Sequence, residues 1–552
     1  MKFSHKYIIV GAGSAGCVLA NKLSADPNNS VLLIEAGPMD NYPTIKMPLG
    51  ASSLFKNKKY GWGYETEPEP NLNNRSINWP RGKTLGGSSS INGMLYIRGQ
   101  SKDYEAWENS GNRGWGYRDL IKQFINLENN QNHEDQYHGS FGPLWVETYQ
   151  SSLEASRVFM NACKESGIKE NRDFNGADQE GFGTYQVNIK NGQRFSASDA
   201  FLKPILSRSN LELITNTLVL KIIINNKKAV GVKIKNRQGT NVVTADSEII
   251  LCGGAINSPQ ILMLSGIGPK EILRKINVPV NHDLPGVGQN LQDHPDFMLK
   301  YKCLKPVTLG PKTKALNSIG AGIQWLLTKE GMCASNHFDA VACVRSGPGV
   351  EYPDLQFCIS PIAMDDNTWQ PMKEHAFQVH VGLMRTHSYG KIELRSSNPA
   401  DPPHILVNYL KDKRDRELMR KGIHLVRELL DQPSFLELKG DEIFPGDNCK
   451  SDSDLDAKLN SHTTSQWHLS CTARMGVETD KHAVVDNSGR VHGFTGLRVV
   501  DASIMPFVTN GNTNAPTIMI AEKISDTILD VKPLSRIELQ TWQSPNYQTH
   551  QR

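Results

Sequence analysis

The sequence predicts an α/β protein with two domains: a Rossmann-like domain that is discontinuous in sequence, and an α+β domain with an antiparallel sheet. Three observations support this prediction. A strand–turn–helix–strand pattern opens the chain, glycine-rich segments recur far downstream, and the middle contains segments of alternating polarity. At 552 residues the chain is long enough for two or more domains.

The composition is that of a globular, loop-rich protein. Hydrophobic residues make up 38% of the chain, with 46 glycines and 29 prolines, which excludes a disordered polymer. The formal net charge is only +4 and the basic residues are scattered, so we expect no nucleic-acid partner. The nine cysteines form no C-x-x-C pair or Cys/His cluster, which predicts reduced thiols and no metal site.

The location of the protein is predicted from its first residues and its apolar runs. The opening stretch, MKFSHKYIIVGAG, lacks the pattern of a secretory signal. No apolar run approaches the roughly 18 residues that a membrane span needs. We therefore expect a cytoplasmic protein, and a peripheral association with the cytoplasmic face of the inner membrane is compatible with the sequence.

A dinucleotide-binding unit is predicted at the N-terminus. The apolar run Tyr7–Val10 meets the glycine motif GAGSAG (residues 11–16), a helical spacing follows, and a second apolar run, Val31–Ile34, ends at Glu35. Strand, glycine turn, helix, strand and acid form the order that such a site requires. A glycine-rich turn that binds nothing is the alternative, and the completeness of the unit disfavours it. The motif alone does not choose between NAD and FAD.

Each glycine of this motif has a distinct role. Gly11 permits the tight turn, Gly13 lets the backbone approach a pyrophosphate, and Gly16 allows the helix to pack closely on the strand. The phosphates are expected at the helix N-terminus, and an acid 19 residues after Gly16 is placed to bind a ribose. The residues predicted to contact the nucleotide here are Gly11, Gly13, Ser14, Ala15, Gly16, Glu35 and Ala36.

Two further glycine-rich segments lie downstream. RGKTLGGSSSINGMLYIRG (residues 81–99) places glycines and serines where they can lie flat against a planar ligand. The apolar residues that follow predict a buried, fixed element and not a flexible loop. GGAINSPQILMLSGIGP (residues 253–269) has the pattern of a strand end, a turn and a buried helix, and by itself it is equally compatible with a purely structural role.

Together these segments resemble the glucose–methanol–choline (GMC) oxidoreductase family. The two family signatures correspond to residues 82–105 and 254–268, and LPGVGQNLQDHP (residues 284–295) and GLRVVDASIMP (residues 496–506) match in order. The resemblance extends from about residue 5 to about residue 530. It implies that the nucleotide is FAD and not NAD.

The resemblance also implies which residues hold FAD. Val219 would contact the adenine, and Asp501 and Ala502 would lie beside the ribityl–pyrophosphate region. Some relatives attach FAD covalently through a histidine before the asparagine of the first signature; here that position is Ile91, which predicts non-covalent binding. The residues implied for the pyrophosphate and the flavin are Arg81, Gly86, Gly87, Ser88, Asn92, Gly93, Met94 and Leu95.

The resemblance assigns a catalytic pair near the C-terminus. TTSQWHLSCTARMG contains His468, which matches the family's catalytic histidine, and NGNTNAPTIMIAEK supplies a carboxamide partner, implied to be Asn514. A neutral imidazole can take the proton of an alcohol hydroxyl, whose pKa is roughly 16, near that of bulk water. Asn514 would donate to the same oxygen and stabilise the alkoxide, while the carbinol carbon releases hydride to flavin N5.

The same C-terminal segment predicts a helix that begins at the flavin. Pro516 and Thr517 would form its first turn, and its positive end would face the N1/C2 edge of the ring. We count Thr517 among the cofactor-binding residues. The alternative, that the asparagines only cap the helix, explains one of the three well and the others poorly.

The dispersed motifs predict the domain boundaries. We assign residues 1–154, 205–309 and 463–535 to the FAD-binding domain, and residues 536–552 to a peripheral tail. Residues 155–204 and 310–462 are assigned to the substrate-binding domain, the first of them mainly from the resemblance. HAFQVHVGLM and GKIELRSSNP predict antiparallel strands there, and DRELMRKGIHLVRELLD predicts a helix beside them.

The predicted activity is that of an alcohol dehydrogenase: FAD-dependent oxidation of a primary alcohol to the aldehyde, with electrons passed to a quinone-type acceptor or O₂. The resemblance is divided between choline dehydrogenases and dehydrogenases of medium-chain aliphatic alcohols. We expect an uncharged aliphatic alcohol first and choline second. A hydroxynitrile-lyase type of reaction and a non-catalytic flavoprotein are less favoured alternatives, and the sequence does not indicate an oligomeric state.

Two residues are assigned to the substrate. A choline site needs an acid and aromatic groups around the cation. Where choline enzymes carry a glutamate after QDH-x, this chain has Asp296, which is shorter by one methylene, and Trp467 is the nearest aromatic residue to the predicted base in sequence. The alternative for Asp296 is an ordinary solvated carboxylate.

Overall fold

Two sheets organise the molecule, and the functional segments lie where these sheets meet. The computed structural model describes residues 4–55, 57–149, 153–313, 315–366 and 370–552. The remaining residues, which fall within the predicted domain ranges, lie outside the described part of the chain. Within the described ranges, no helix combines the length and the apolar character that crossing a bilayer demands.

The first sheet is the predicted Rossmann-like sheet. Its central strands, Ser4–Val10 and Val31–Ile34, pair in parallel, and the second of them is buried throughout, as expected for a parallel strand covered on both faces. In spatial order its strands are Leu211–Ile214, Val31–Ile34, Ser4–Val10, Gly239–Leu251, Lys228–Asn236 and Leu218–Asn225, with Leu497–Val499 beside the end of Gly239–Leu251.

The second sheet is antiparallel, as predicted. Helix Lys413–Leu430 packs on it, and Gly422 allows the close approach, because a Cβ there would lie 2.5 Å from Val381 Cγ1. In spatial order its strands are Lys439–Phe444, Pro295–Cys303, Ala376–Leu383, Leu355–Ser360, Ala340–Val344 and Gly181–Thr184, with Thr464–Ser465 beside the start of Pro295–Cys303.

Smaller sheets and the helices complete the described fold. The smaller sheets contain the strands Leu95–Tyr96, Gln186–Val187, Leu144–Thr148 and Glu128–Asn130; Gln289–Leu291, Gly390–Glu393 and His404–Leu406; and the pairs Tyr64–Glu65 with Asn78–Trp79, Ile189–Lys190 with Gln193–Arg194, and Ile267–Gly268 with His282–Asp283. The α-helices are Ser14–Leu23, Pro43–Lys46, Ala51–Leu54, Ser101–Asn109, Tyr117–Leu127, Glu154–Glu165, Gly254–Leu264, Lys270–Lys275, Ala315–Thr328, Lys413–Leu430, Pro433–Leu436, Asp452–His462 and Asn514–Ile528.

The structure differs from the predicted domain boundaries in two places. Strand Pro295–Cys303, predicted to belong to the FAD-binding domain, pairs with Ala376–Leu383 in the second sheet. The π-helical turn Ser198–Leu202, predicted to belong to the substrate domain, packs against helix Ser14–Leu23. Local polarity could not reveal either partner, since both contacts join segments far apart in sequence.

Candidate functional site

The two glycine turns pack backbone against backbone. The amide of Gly86 donates to the carbonyl of Ala12 over 2.7 Å. Gly87 has a φ of +54°, and a Cβ on it would lie 2.7 Å from the Cα of Gly13. Only glycine satisfies both constraints. The turn at residues 11–16 is equally tight, because a Cβ on Gly16 would lie 1.9 Å from the carbonyl oxygen of Gly11.

Glu35 lies at the end of its strand, beneath the first glycine turn. Its carboxylate accepts hydrogen bonds from the amides of Ala12 at 2.9 Å and Gly37 at 2.8 Å, and burial raises its pKa to about 7. The amide of Thr217 donates to the backbone carbonyl of Glu35, which brings the start of the strand that contains Val219 beside it. The predicted adenosine contacts, Glu35, Ala36 and Val219, therefore lie in one region.

Two helices begin side by side at this site. Helix Ser14–Leu23 and helix Asn514–Ile528 pack together, and the Ser14 hydroxyl donates to Asn514 Oδ1 over 2.7 Å at their first residues. Further along, Lys22 pairs with Glu522 at 2.7 Å. The helices are thus parallel, and both positive ends are directed to the same place, where they favour an anionic group.

The first signature forms the floor of the site around a buried cation. Arg194 donates to the carbonyl of Ser89 at 3.1 Å and to Asn92 Oδ1 at 2.8 Å, and burial lowers its pKa to about 9. Its Nη2 finds no partner among the described residues. Residues Gly86, Gly87, Ser88, Asn92, Gly93, Met94 and Leu95 follow one another through the 3₁₀ turn Gly87–Ser90 into the short strand Leu95–Tyr96.

Asp501 joins the second signature to the C-terminal motif. Its Oδ2 accepts from the amide of Gly254 at 2.9 Å and the hydroxyl of Ser258 at 2.6 Å, while Oδ1 accepts from the amide of Ser503. Asp501 is 2% exposed, so its carboxylate is committed to these protein groups. Ala502 begins the next 3₁₀ turn, and the Thr517 hydroxyl donates to the Thr513 carbonyl. Direct contact of these three residues with FAD remains a prediction.

The turn that carries His468 is held by a network of hydrogen bonds. Residues 464–470 run antiparallel to residues 292–296, and the amide of His468 donates to Asp293 Oδ1 over 2.6 Å. Arg81 donates to the carbonyl of Trp467 over 2.9 Å, and burial lowers its pKa to about 10. Tyr409 and Ser465 both donate to the other oxygen of Asp293. This network fixes the backbone on both sides of the imidazole.

The imidazole of His468 has a partner on each ring nitrogen. Asn512 Nδ2 lies 3.0 Å from Nε2, and His294 Nδ1 lies 2.9 Å from Nδ1. With the amide nitrogen of Asn512 as the donor, Nε2 is the acceptor, and the ring proton lies on Nδ1, from which it is donated to His294. His468 therefore directs a lone pair, and not a proton, towards Asn512.

The predicted partner of His468 needs correction. The carboxamide beside the imidazole belongs to Asn512, whereas the carboxamide of Asn514 bonds to Ser14 at the paired helix ends. Asn514 is the first residue of its helix, and helical side chains point back towards the N-terminus. Its carboxamide therefore lies beside Ser14, the first residue of the neighbouring helix. Asn512 lies in the turn before the helix, next to Gly511 with its φ of +98°.

The electrostatics favour the neutral imidazole. Burial, followed by the proximity of His294 and the charge of Arg81, holds the pKa of His468 well below its usual value. Burial also lowers the pKa of His294, to about 4. Both rings are therefore uncharged at neutral pH, and His468 is ready to accept a proton.

Asp296 is buried, so the alternative of a solvated carboxylate is wrong. It is 3% exposed, it lies two residues from His294 on the strand Pro295–Cys303, and its Oδ2 accepts a hydrogen bond from His380 Nδ1 over 2.7 Å. Its Oδ1 finds no partner among the described residues. Trp467, which adjoins His468, packs edge-on against Phe55 with ring centroids 5.0 Å apart.

These features fit FAD. The paired glycine turns leave a cradle without side chains, two helix N-termini offer positive charge to a pyrophosphate, and Glu35 offers acceptors to a ribose. Ile91 is buried with Ile45, Leu54 and Tyr60, and it offers no nucleophile for a covalent link.

Several residues of the site were missed by the sequence analysis. Asn512 and His294 both lie in segments that resemble the family, but the N-x-N pattern by itself does not say which asparagine contacts His468. Tyr409 and Arg194 carry no local signal, because their role depends on contacts that fold distant segments together.

The chain matches a known family over most of its length. Residues 5–296 and 386–521 match the family described as GMC oxidoreductase. Two similar curated proteins are named oxygen-dependent choline dehydrogenase. The one from Vibrio vulnificus (strain YJ016) is 44% identical and covers 100% of this chain and 99% of its own. The one from Rhizobium etli is 44% identical over 98% of both chains.

Solved structures show the same architecture. The crystal structure of pyridoxine 4-oxidase from Mesorbium loti has a TM-score of 0.87 at 30% identity, covering 96% of this chain and 100% of that one. An FAD-dependent oxidoreductase from Chaetomium thermophilum has a TM-score of 0.86 at 28% identity, covering 95% and 99%.

Proposed function

The chain belongs to the GMC oxidoreductase family, and on this premise we propose that it oxidises choline, or a closely related quaternary-ammonium alcohol, to the aldehyde with O₂ as the acceptor. It is an FAD-dependent enzyme that acts on the CH–OH group of its donor, with FAD bound non-covalently. The choice of substrate is the new step. It reverses our order of preference for the two alcohols, because the relatives at 41–44% identity are named for choline.

FAD, when bound, supplies the two-electron acceptor for the hydride that leaves the carbinol carbon. We assign its binding to the glycine turns at residues 11–16 and 86–87, with Glu35 at the ribose and the paired helix ends at the pyrophosphate.

We assign the proton transfer to His468. An alcohol hydroxyl that replaces the Asn512 N–H at Nε2 would meet an unprotonated nitrogen, which can take the proton as the carbon–hydrogen bond breaks. The low pKa of His468 keeps that nitrogen available at neutral pH. Nδ1 of His468 donates a hydrogen bond to His294, and Asp293 accepts a hydrogen bond from the backbone amide of His468. These two contacts hold the tautomer and the orientation of the His468 ring.

Asn512 would stabilise the developing alkoxide. Its amide nitrogen carries two N–H groups, and one of them is used by His468. The second can donate to the substrate oxygen, where negative charge grows as the proton leaves. We therefore assign to Asn512 the role that the sequence analysis gave to Asn514.

The observation that favours choline is the carboxylate of Asp296. It is buried, its Oδ1 lacks a protein partner among the described residues, and it lies two residues from His294, which contacts the base. A buried carboxylate with an unused oxygen favours a cation. The uncharged primary alcohol remains the second candidate. His380 already donates to the other oxygen of Asp296, and this hydrogen bond lowers the need of the buried carboxylate for a cation.

The test compares choline with 3,3-dimethyl-1-butanol, which has the same shape and no charge. Under anaerobic conditions, we expect choline to bleach the flavin absorbance and to have the higher kcat/KM. Asp296→Asn should lower kcat/KM for choline by about 30-fold or more and change that for the neutral alcohol little. A preference for the neutral alcohol would favour the second candidate. A flavin that no alcohol reduces would leave the lyase-type and non-catalytic alternatives.

The acceptor and the location are parts of the same proposal. The printed names of the relatives support O₂, and a quinone-type carrier remains an alternative that reoxidation rates with both acceptors would resolve. All nine cysteines lie in the described ranges, and each is buried and unpaired, which supports a cytoplasmic location. Contact with a membrane surface stays a prediction.

A further inference from the structure

A second cluster of chemically active side chains lies outside the alcohol site. His133, Asp135 and His138 belong to the segment between strands Glu128–Asn130 and Leu144–Thr148, and Asp173 comes from a loop further along the chain. One ligand atom from each of the four residues lies within 4.8 Å of the others. Nothing in the alcohol oxidation uses these residues.

The direction of His138 is fixed from behind. Its side chain is fully buried, and its Nδ1 lies 2.9 Å from Glu128 Oε2, on the neighbouring strand. Glu128 in turn pairs with the buried guanidinium of Arg98. Nε2 of His138 is therefore directed into the cluster, where it lies 2.9 Å from Asp173 Oδ2. Imidazoles that bind metals are commonly oriented in this way, by a carboxylate on the second ring nitrogen.

The other three members are also positioned by contacts. Asp173 Oδ1 accepts from the amide of Asn175 at 3.0 Å, which directs Oδ2 towards His138. Asp135 Oδ1 accepts from the amide of Tyr137 at 2.8 Å. The ring of His133 lies against that of His138 with centroids 5.0 Å apart. Two rings and two carboxylates thus converge from two separate segments.

We propose that His133, Asp135, His138 and Asp173 form a structural site for Zn²⁺ or a similar divalent transition-metal ion. Two imidazole nitrogens and two carboxylate oxygens suit such an ion, whereas Mg²⁺ and Ca²⁺ prefer oxygen ligands alone. With neutral rings, the four ligands carry two negative charges, which match the charge of the ion. Zn–N and Zn–O bonds of about 2.0–2.1 Å separate the ligand atoms of a tetrahedral site by about 3.4 Å. The wider pairs of this cluster, up to 4.8 Å apart, would contract, and the 2.9 Å contact between His138 Nε2 and Asp173 Oδ2 would widen.

Metal binding here exchanges an ion for a proton. The hydrogen bond between His138 Nε2 and Asp173 contains a proton, which a metal on Nε2 must displace. The ion would then tie the segment that contains His133 to the loop of Asp173. The sequence analysis excluded a metal site because it searched for cysteine patterns, and 35 residues separate His138 from Asp173.

The experiment is a titration of the FAD-loaded enzyme with ZnSO₄ after treatment with a chelator. Calorimetry at about pH 7.5 in two buffers of different ionisation enthalpy should show one saturable site with release of about one proton. His133→Ala and Asp135→Ala should each weaken binding by about tenfold or more. Glu134→Ala is the matched control, because it removes an exposed carboxylate of the same segment and should leave the affinity unchanged.

Alcohol oxidation provides the control for folding. Both ligand variants change side chains that are at least partly exposed, so we expect their flavin content and kcat to equal those of the unmodified enzyme. Absence of saturable binding at about 100 µM Zn²⁺ would overturn the proposal. Equal affinity in His133→Ala, Asp135→Ala and the unmodified enzyme would overturn it as well, since the ion would then be bound elsewhere.

Discussion

Asn512 and Asn514 are two residues apart, and their carboxamides contact different parts of the site. Asn512 donates to the imidazole of His468, and Asn514 accepts from Ser14 at the paired helix ends. The first contact lies where we expect the alcohol oxygen to bind, and the second lies where we expect the pyrophosphate of FAD to bind. Substitutions at the two positions should therefore change different steps.

Asn512→Ala should lower kcat for the alcohol by about 10²–10³-fold and leave FAD content unchanged, because it removes a donor to the developing alkoxide. Asn514→Ala should instead weaken FAD retention, since it releases Ser14 at the helix end. Steady-state kinetics and the flavin absorbance of the purified variants measure the two effects. The assignment is wrong if Asn514→Ala has the larger effect on kcat in fully loaded enzyme.

The low pKa of His468 predicts an unusual acid limit. A base whose folded-state pKa is lowered keeps its lone pair below the usual histidine value of about 6.5, so activity should persist there. The midpoint of the acidic limb in the pH profile of kcat/KM should therefore lie below pH 6.5. Flavin fluorescence at each pH controls for loss of the cofactor, and a limb centred at or above pH 6.5 in intact enzyme would contradict the assignment of His468.

At the scale of elements, the contact between the two glycine turns holds the cofactor site together. Gly87→Ala should abolish FAD retention, because the new Cβ would lie 2.7 Å from Gly13 Cα and the φ is +54°. Gly63→Ala is a matched control: its φ is +67°, and a Cβ there meets nothing within 4 Å. Flavin content of the two variants separates the steric clash from backbone strain, and equal loss in both would contradict our account.

Sequence reasoning succeeded for elements whose signal is local. The strand, glycine turn, helix and acid of residues 7–35 are contiguous, so their order alone predicted the first sheet's centre and the position of Glu35. Strand Pro295–Cys303, which we placed with the first domain, pairs with Ala376–Leu383 in the second sheet, a partner that its polarity pattern does not reveal. The partner of His468 was missed for a related reason, since only the start of helix Asn514–Ile528 distinguishes Asn512 from Asn514.

At the scale of the whole molecule, His468 lies where the two domains meet. Its turn pairs with the start of strand Pro295–Cys303 in the second sheet, while Asn512 adjoins the helix that packs on the dinucleotide helix Ser14–Leu23. Movement of one domain against the other would therefore change the distance between base and carboxamide. The contacts between the domains must therefore be stable enough to keep this distance constant.

The C-terminal tail makes such contacts, although the sequence predicted it only as peripheral. The amide of Ile537 donates to the carbonyl of Arg118, which belongs to a helix of the first domain. Further along, the ammonium of Lys169 lies 3.0 Å from the ring centroid of Trp542. Arg345, which follows a strand of the second sheet and is 2% exposed, donates to the carbonyl of His550 at 2.8 Å.

Deletion of residues 541–552 should therefore lower the melting temperature and leave the flavin content unchanged. The deletion removes an acceptor from the buried guanidinium of Arg345, which costs about 1–3 kcal/mol, and it removes the ring beneath Lys169. Deletion of Arg552 alone is the control, since its pairing with Glu428 is partly exposed to solvent and should contribute little. Thermal unfolding followed by flavin fluorescence compares the two proteins. An unchanged melting temperature after the longer deletion would mean that the tail does not hold the domains together.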